Sequence, residues 1–342
     1  MKKKIIGIIT AVMTACVLFT GCGDKGESKK EITVYTALEE DIINQYLNDY
    51  EKEHQDVKVN IVRDSTGVIT AKLKAEKDNP VADVVWGVGA TNLLTVEDQL
   101  EAYSPKGVER VPKKFKDSNE TPKWVGMEIA EAGFIVNKEE LKNKGLEIPK
   151  SYEDLLKPEY KGLITMPNPV SSGTGFLTIA GLIQSMGEEN AFKYLDKLNE
   201  NIAMYTHSGS KPAVNASKGE FPIGISIIYR GLKEKSKGSP VEVVFPKEGV
   251  MWDVEANGLV KKDNIKDEAK EFLDWAISDS AMKEYQVNYP LVTVDNNYKI
   301  PDDYPANVKD LLVNMDFEHI GKEKDKITDE WNKRYDSKSE EK

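Results

Sequence analysis

The stretch from Ile32 to Trp86 constrains the fold most, because short apolar runs alternate there with amphipathic ones. Ile32-Thr33-Val34-Tyr35 predicts a strand, and Ile42, Ile43, Tyr46, Leu47 and Tyr50 recur on one face of the helix after it. Val57 to Val62 alternates as a second strand; after the turn Asp64-Ser65-Thr66-Gly67 a helix runs through Leu73 and Ala75. Ala82-Asp83-Val84-Val85-Trp86 is continuous enough for a strand buried on both faces. The pattern is βαβαβ, and such a sheet holds its ligand outside the carboxyl ends of its strands. Those ends carry Thr36-Ala37-Leu38-Glu39, Ser65-Thr66-Gly67 and Gly87-Val88-Gly89-Ala90.

A second unit of the same kind follows. Gly133-Phe134-Ile135-Val136-Asn137 and Gly162-Leu163-Ile164-Thr165-Met166 read as strands, with a short helix opening at Ser151 between them. Ile223 to Ile227, Val241 to Phe245 and Glu255 to Val260 supply further strands. Two α/β lobes joined by more than one crossing segment would enclose a cleft, a common place for ligands. The expected division is lobe 1 over 31–130 plus 250–295 and lobe 2 over 131–249 plus 296–342.

Pro169-Val170-Ser171-Ser172-Gly173-Thr174-Gly175 stands immediately before a helical pattern in which Phe176, Ile179, Ala180 and Ile183 share a face. Unpaired N–H groups and the positive end of the helix dipole meet there, so the run reads as an anion cradle. The plainer alternative is that Ser171 or Ser172 caps the helix and the glycines form a turn.

The N-terminus speaks to compartment. Lys2, Lys3 and Lys4 precede an apolar run from Ile5 to Thr20, too short to span a bilayer, so residues 1–21 read as a signal peptide. Leu18-Phe19-Thr20-Gly21-Cys22 resembles a bacterial lipobox and points to Cys22 as the lipidated residue, with 22–30 as a polar tether. The other cysteine, Cys16, lies in the leader, leaving no pair for an internal disulfide. A formal charge of −11 argues against a nucleic-acid partner.

Several of these runs match a known family. Val34-Tyr35-Thr36-Ala37, Ala82-Asp83-Val84-Val85-Trp86-Gly87, Gly133 to Lys138, Ser171 to Phe176 and Glu255-Ala256-Asn257, with the leader, resemble an ABC-transporter substrate-binding lipoprotein of the type II periplasmic-binding-protein fold. Arg63 to Lys72, Tyr205 to Pro212 and Val244 to Gly249 are most similar to the 2-aminoethylphosphonate-binding branch, which is related to ferric-ion-binding proteins. The resemblance implies an α/β, two-lobed monomer with a ligand cleft between the lobes, which passes a small molecule to a membrane permease.

On this reading the phosphonate takes N–H groups and hydroxyls from Ser171, Ser172, Gly173 and Thr174, with Thr36, Ala37, Ser65 and Thr66 from the other lobe and a hydroxyl from Tyr229. Glu39, Asp253 and Glu255 are candidates for the ammonium group, with Trp252 or Trp86 as an aromatic face. Alternation puts Asp253 and Glu255 on one face, and a salt bridge from Glu255 to Arg230 or Arg63 is the competing role. Ferric relatives use adjacent tyrosines where this chain has Ile228-Tyr229-Arg230, and His54, His207 and His319 match no metal-ligand pattern, so no metal and no cofactor are expected. Ferric iron or another small anion is the alternative cargo, and a lipid-anchored adhesion or signalling module is the reading from a different class. Enzyme motifs fail: Ile228 stands where a nucleophile elbow needs its second glycine, and the cradle lacks a P-loop lysine.

Overall fold

The computed structural model describes residues 29–294 and 299–341; the leader, the tether and Cys22 lie outside the described residues. The strands are β1 Lys30–Thr36, β2 Val57–Arg63, β3 Val84–Gly89, β4 Leu100–Glu101, β5 Val125–Asn137, β6 Ile164–Pro167, β7 Ile202–Thr206, β8 Ile223–Ile227, β9 Val241–Val244 and β10 Met251–Val260. They form one hydrogen-bonded path in the order β2-β1-β3-β10-β5-β8-β6-β7, with β4 on β10 and β9 on β5.

The path contains two parallel trios. β2, β1 and β3 are parallel to one another, as are β8, β6 and β7. Each trio is completed by an antiparallel strand, β10 beside β3 and β5 beside β8, and these two long strands pair with each other from Met251↔Ala132 to Asn257↔Val125. β5 and β10 are therefore the segments that pass between the lobes. β5 is buried along all thirteen residues, of which only the last five, Gly133–Asn137, stand out in the sequence as a strand.

The helices cover both faces for the reason their patterning predicts. Helix Glu40–Glu53 buries Ile42, Ile43, Tyr46, Leu47 and Tyr50, the five residues of its apolar stripe. Tyr50 meets Phe272 and Trp275 edge-on, and Trp86 packs into the same aromatic group, donating its indole N–H to the Tyr285 hydroxyl at 3.2 Å. Trp86 is thus core. Helix Gly173–Met186 buries ten of its fourteen residues and stops at Gly187, whose φ of +81° favours glycine. The helix Phe317–Tyr335 touches both lobes: Gly321 lies on Leu94, and Trp331 meets Tyr205 edge-on.

Candidate ligand-binding site

The carboxyl ends of both parallel trios face one cleft holding about 540 Å³ of space, its mouth included. Ala37, Glu39, Arg63, Ser65 and Thr66 line it from one side; Ser172, Gly173, Thr174, Ser208 and Gly209 line it from the other. Asp253 and Glu255 on β10 and Ala130 on β5 form the wall where the chain crosses, with Tyr289 beside them.

The cradle end is rich in donors because two helices begin there. Ser172 occupies the cap position of helix Gly173–Met186 and accepts from Gly175 N at 3.3 Å, so the capping role is real. It coexists with the cradle. Among the described residues no acceptor answers the N–H groups of Gly173 and Thr174, nor those of Thr66 and Ala37 opposite. The Thr66–Ala75 helix has Ser65 at its cap with no side-chain bond to its own backbone, leaving that hydroxyl to the cleft. Arg63 supplies the cation, held by Nε donating to Leu38 O at 3.0 Å and by Glu39 at 3.6 Å.

The lobes touch across this end. Gly67 N donates to Ser171 O at 2.9 Å, and a Cβ on Gly67 would lie 2.1 Å from Val170 O. A Cβ on Gly173 would lie 2.7 Å from Thr66 Oγ1. The conformation is closed; Gly67 is required because backbone meets backbone there, and Gly173 because the Thr66 side chain fills the place of a Cβ.

The opposite end is acidic. Asp253 accepts from Thr91 Oγ1 at 2.5 Å and from Val254 N at 2.7 Å, and burial pushes its carboxyl up to about 6. The buried Lys324, whose ammonium donates to Asn92 Oδ1 at 2.7 Å and sits 3.8 Å from the Phe176 ring centroid, partly offsets this. Burial in turn pulls Lys324 down to about 7. Glu255 has a side-chain oxygen without a partner and is pushed up to about 7 by desolvation. No ion pair reaches it among the described residues: Glu39 takes Arg63, and Arg230 is engaged by Asp41 and Glu234.

Of the residues singled out in the sequence, Ala37, Glu39, Ser65, Thr66, Ser172, Gly173, Thr174, Asp253 and Glu255 come together here. Thr36, Ser171 and Tyr229 do not line the cleft. Thr36 is fully buried and turns its Oγ1 back to accept from Leu38 N at 3.1 Å. Ser171 donates to His207 O at 3.1 Å. Tyr229 receives Lys233 Nζ at 2.8 Å and donates to Asp41 at 3.4 Å, in an ion group that joins helix Glu40–Glu53 to helix Ile228–Ser236 across the lobes. Its ring stacks on Tyr289 at 5.1 Å, and Tyr289 is the tyrosine that lines the cleft. Trp252 also lies elsewhere, packed edge-on against Phe317, with its indole N–H donating to Val313 O. Sequence reasoning passed over Tyr289, Ser208 and Gly209; the Ser208-Gly209-Ser210 run after β7 repeats the hydroxyl-glycine signal of the cradle and could have been found by it.

Two lobes crossed by paired long strands, with helix starts converging on a closed cleft, are the architecture of a binding protein that captures a small solute. The chain belongs to the bacterial extracellular solute-binding protein family, whose model matches residues 79–317. An uncharacterized protein of Haemophilus influenzae is 30% identical over 329 residues, covering 94% of this chain and 93% of that one. The periplasmic binding protein AfuA from Actinobacillus pleuropneumoniae, solved with exogenous fructose-6-phosphate bound, superposes with a TM-score of 0.83 at 31% identity, over 90% of this chain and 99% of that one. A periplasmic protein of Salmonella paratyphi A named for 2-aminoethylphosphonate binding is 24% identical over 192 residues, 56% of this chain and 54% of that one. The protein is a solute-binding component of the ABC-importer type and not an enzyme.

Proposed function

We propose that the cleft captures a small phosphorylated compound bearing hydroxyl groups, of the sugar-phosphate class, and that lobe closure presents it to a membrane permease. The observation that carries this reading is the cleft's two-ended chemistry. At one end the unanswered N–H groups of Gly173, Thr174, Thr66 and Ala37 surround space that a phosphoryl group would fill, with Arg63 as counter-charge. At the other, Glu39 from the loop after β1 and Asp253 and Glu255 from β10 offer carboxyl groups, chemistry suited to several hydroxyls. The likeness to AfuA with its bound fructose-6-phosphate supports the same class.

2-Aminoethylphosphonate is the second reading, favoured by the unpaired oxygen of Glu255, which could take an ammonium group. Ferric iron is disfavoured by the Tyr229 hydroxyl being engaged by Lys233 and Asp41 outside the cleft lining. Titration calorimetry with fructose 6-phosphate, 2-aminoethylphosphonate and ethylphosphonate separates the first two. The sugar phosphate is expected to bind tightest. Binding of 2-aminoethylphosphonate alone, weakened by Glu255→Gln far more than ethylphosphonate is, would replace the first reading with the second.

Anchoring belongs to the same proposal: the Leu18 to Cys22 run would be cleaved and lipidated at Cys22, holding the body on the extracytoplasmic face. Cys22→Ala is expected to free the protein from the membrane fraction while the body still binds ligand. Retention of that variant, leader removed, in washed membranes would reject the tether.

A further inference from the structure

Behind the acidic end of the cleft lies a second carboxyl that does not line it. Glu128 on β5 stands opposite Glu255 on β10 in the antiparallel ladder, at a register shift in which Ala256 pairs with Gly126. The bulge brings the two side chains toward the same interior space. Glu128 is fully buried and Glu255 reaches the cleft. No Lys, Arg or His forms an ion pair with either among the described residues, and one oxygen of each, Glu128 Oε1 and Glu255 Oε2, has no partner.

The surroundings make a doubly ionised pair untenable. Helix Glu40–Glu53 contributes only the Tyr46 hydroxyl, 3.5 Å from Glu128 Oε2; Asn288 donates to that same hydroxyl at 3.3 Å, and Tyr285 and Tyr289 close the side from the following segment. Tyr304, buried, lies near Glu131 and Glu128. The remaining charged groups that face it are acids: Glu131 on β5, Asp253 on β10 and Glu39 at the cleft. Two adjacent carboxylates in such a place cannot both ionise, and one proton between them both removes the repulsion and forms a hydrogen bond.

We propose that Glu128 is a positioning residue that shares one proton with Glu255, donating to it and so fixing the orientation in which Glu255 turns its free oxygen to the ligand. Glu128 Oε–H donates to one Glu255 oxygen, and the other Glu255 oxygen accepts from the ligand's hydroxyl or ammonium. Loss of the shared proton leaves two facing anions, which weakens the closed, liganded cleft. Ligand capture is therefore linked to protonation, a property that deepens the sugar-phosphate reading and rests on it only for the choice of probe. Desolvation raises both carboxyls, in keeping with the geometry.

Two measurements test it. The first needs no ligand: infrared difference spectra of the wild type against Glu128→Gln at pH 7 should contain a protonated-carboxyl C=O band that the variant lacks. An unchanged band, or no band, overturns the shared proton. The second is calorimetry with fructose 6-phosphate between pH 7 and 8.5, where the probe's phosphate is already dianionic because its second ionisation falls near 6. Wild-type affinity should fall roughly threefold to tenfold over that range, with proton uptake on binding read from buffers of different ionisation enthalpy. Glu128→Gln, whose amide still donates to Glu255, should bind the probe with a flat pH profile and no difference in proton count between buffers. Glu255→Gln should be flat as well, which guards against misfolding of the first variant. A pH slope that survives in folded Glu128→Gln overturns the linkage. Absence of any heat with fructose 6-phosphate, alongside the expected infrared difference, faults the choice of ligand and leaves the proton pair standing.

Discussion

The two ends of the cleft are built by opposite means. At the cradle end the groups facing the ligand space are backbone N–H groups at the starts of Gly173–Met186 and Thr66–Ala75, fixed by the helices and free of titration. At the far end they are side-chain carboxyls on β10, buried against other acids and pushed toward neutrality by desolvation. The difference teaches a division of labour. A backbone cradle has a charge preference that pH does not alter, whereas a carboxyl wall can exchange protons and adapt to the tail of the ligand. Closure serves both, because Gly67 and Gly173 let the lobes meet beside the cradle.

The largest expected effect tests the cradle's dependence on closure. Gly67→Ala places a methyl 2.1 Å from the Val170 carbonyl across the lobes, so the pair must stand apart. Affinity should fall by about two decades or more, since the ligand would lose the donors of one lobe, each charge-assisted bond contributing about 1.5–3 kcal/mol. Solution scattering should report an open molecule with an unchanged melting temperature; a closed profile with native affinity would refute the contact. Next comes Ser172→Ala. Loss of a ligand-facing hydroxyl should cost about one to two decades in affinity. Loss of the cap on Gly175 N should cost about 1 kcal/mol of stability besides. Calorimetry and thermal melts read the two losses separately, and a stability loss alone would reduce Ser172 to a cap.

The acid end is tested by pH. Glu131, with both oxygens unpartnered, is pushed up to about 8, Glu255 to about 7 and Asp253 to about 6. Each is above its unfolded value, so the folded state binds more protons and stability falls as pH rises from about 5 to 8. Lys324 works in the opposite sense, since its lowered value makes the folded state gain stability above pH 7. The ligand-free melting temperature should therefore decline from pH 5 to 7 and level off above, and Glu131→Gln should flatten the decline. A melting temperature that climbs from pH 5 to 7 in the wild type would contradict the assignment of neutral buried acids. The smallest effect is expected at Asp41, where partly exposed ion pairs with Arg230 and Lys233 contribute about 0–1 kcal/mol. Asp41→Asn should lower affinity only a fewfold and only at low salt, and a loss as large as that of Ser172→Ala would make the ion group a principal latch.

Legibility in the sequence followed how local each cause was. The βαβαβ run and the helix after the cradle were readable because their periodicity lies within a few residues, and Ile42 to Tyr50 are buried as one stripe. The full lengths of β5 and β10 were hidden. Glu128 and Glu131 interrupt the apolar run that would otherwise mark β5 from Val125, and Asp253 interrupts β10. The residues that obscured the strands are the ones that build the acid end, so function masked structure there. The sequence points to Tyr229 as the tyrosine of the cleft: its neighbour in space, Tyr289, is sixty residues further along, and only the tertiary stacking of the two rings reveals which one faces the cleft. The carboxyl pair was likewise invisible, because Glu128 and Glu255 meet only through strand register.

The tail of the described chain bears on how the protein is handled. Glu340 N donates to Tyr205 O, Glu340 Oε1 accepts from His207 N at 2.7 Å and its other oxygen pairs with Lys211, while Ser339 Oγ accepts from Asn168. Those contacts brace the loops carrying Ser172 and Ser208 from beneath. A purification tag or fluorescent fusion attached close behind Glu340 would tug on the floor of the cradle and distort a binding assay that relied on it. The turns at Gly145 and Gly162, where no atom lies within 4 Å of an added Cβ, are the better places to mount a reporter.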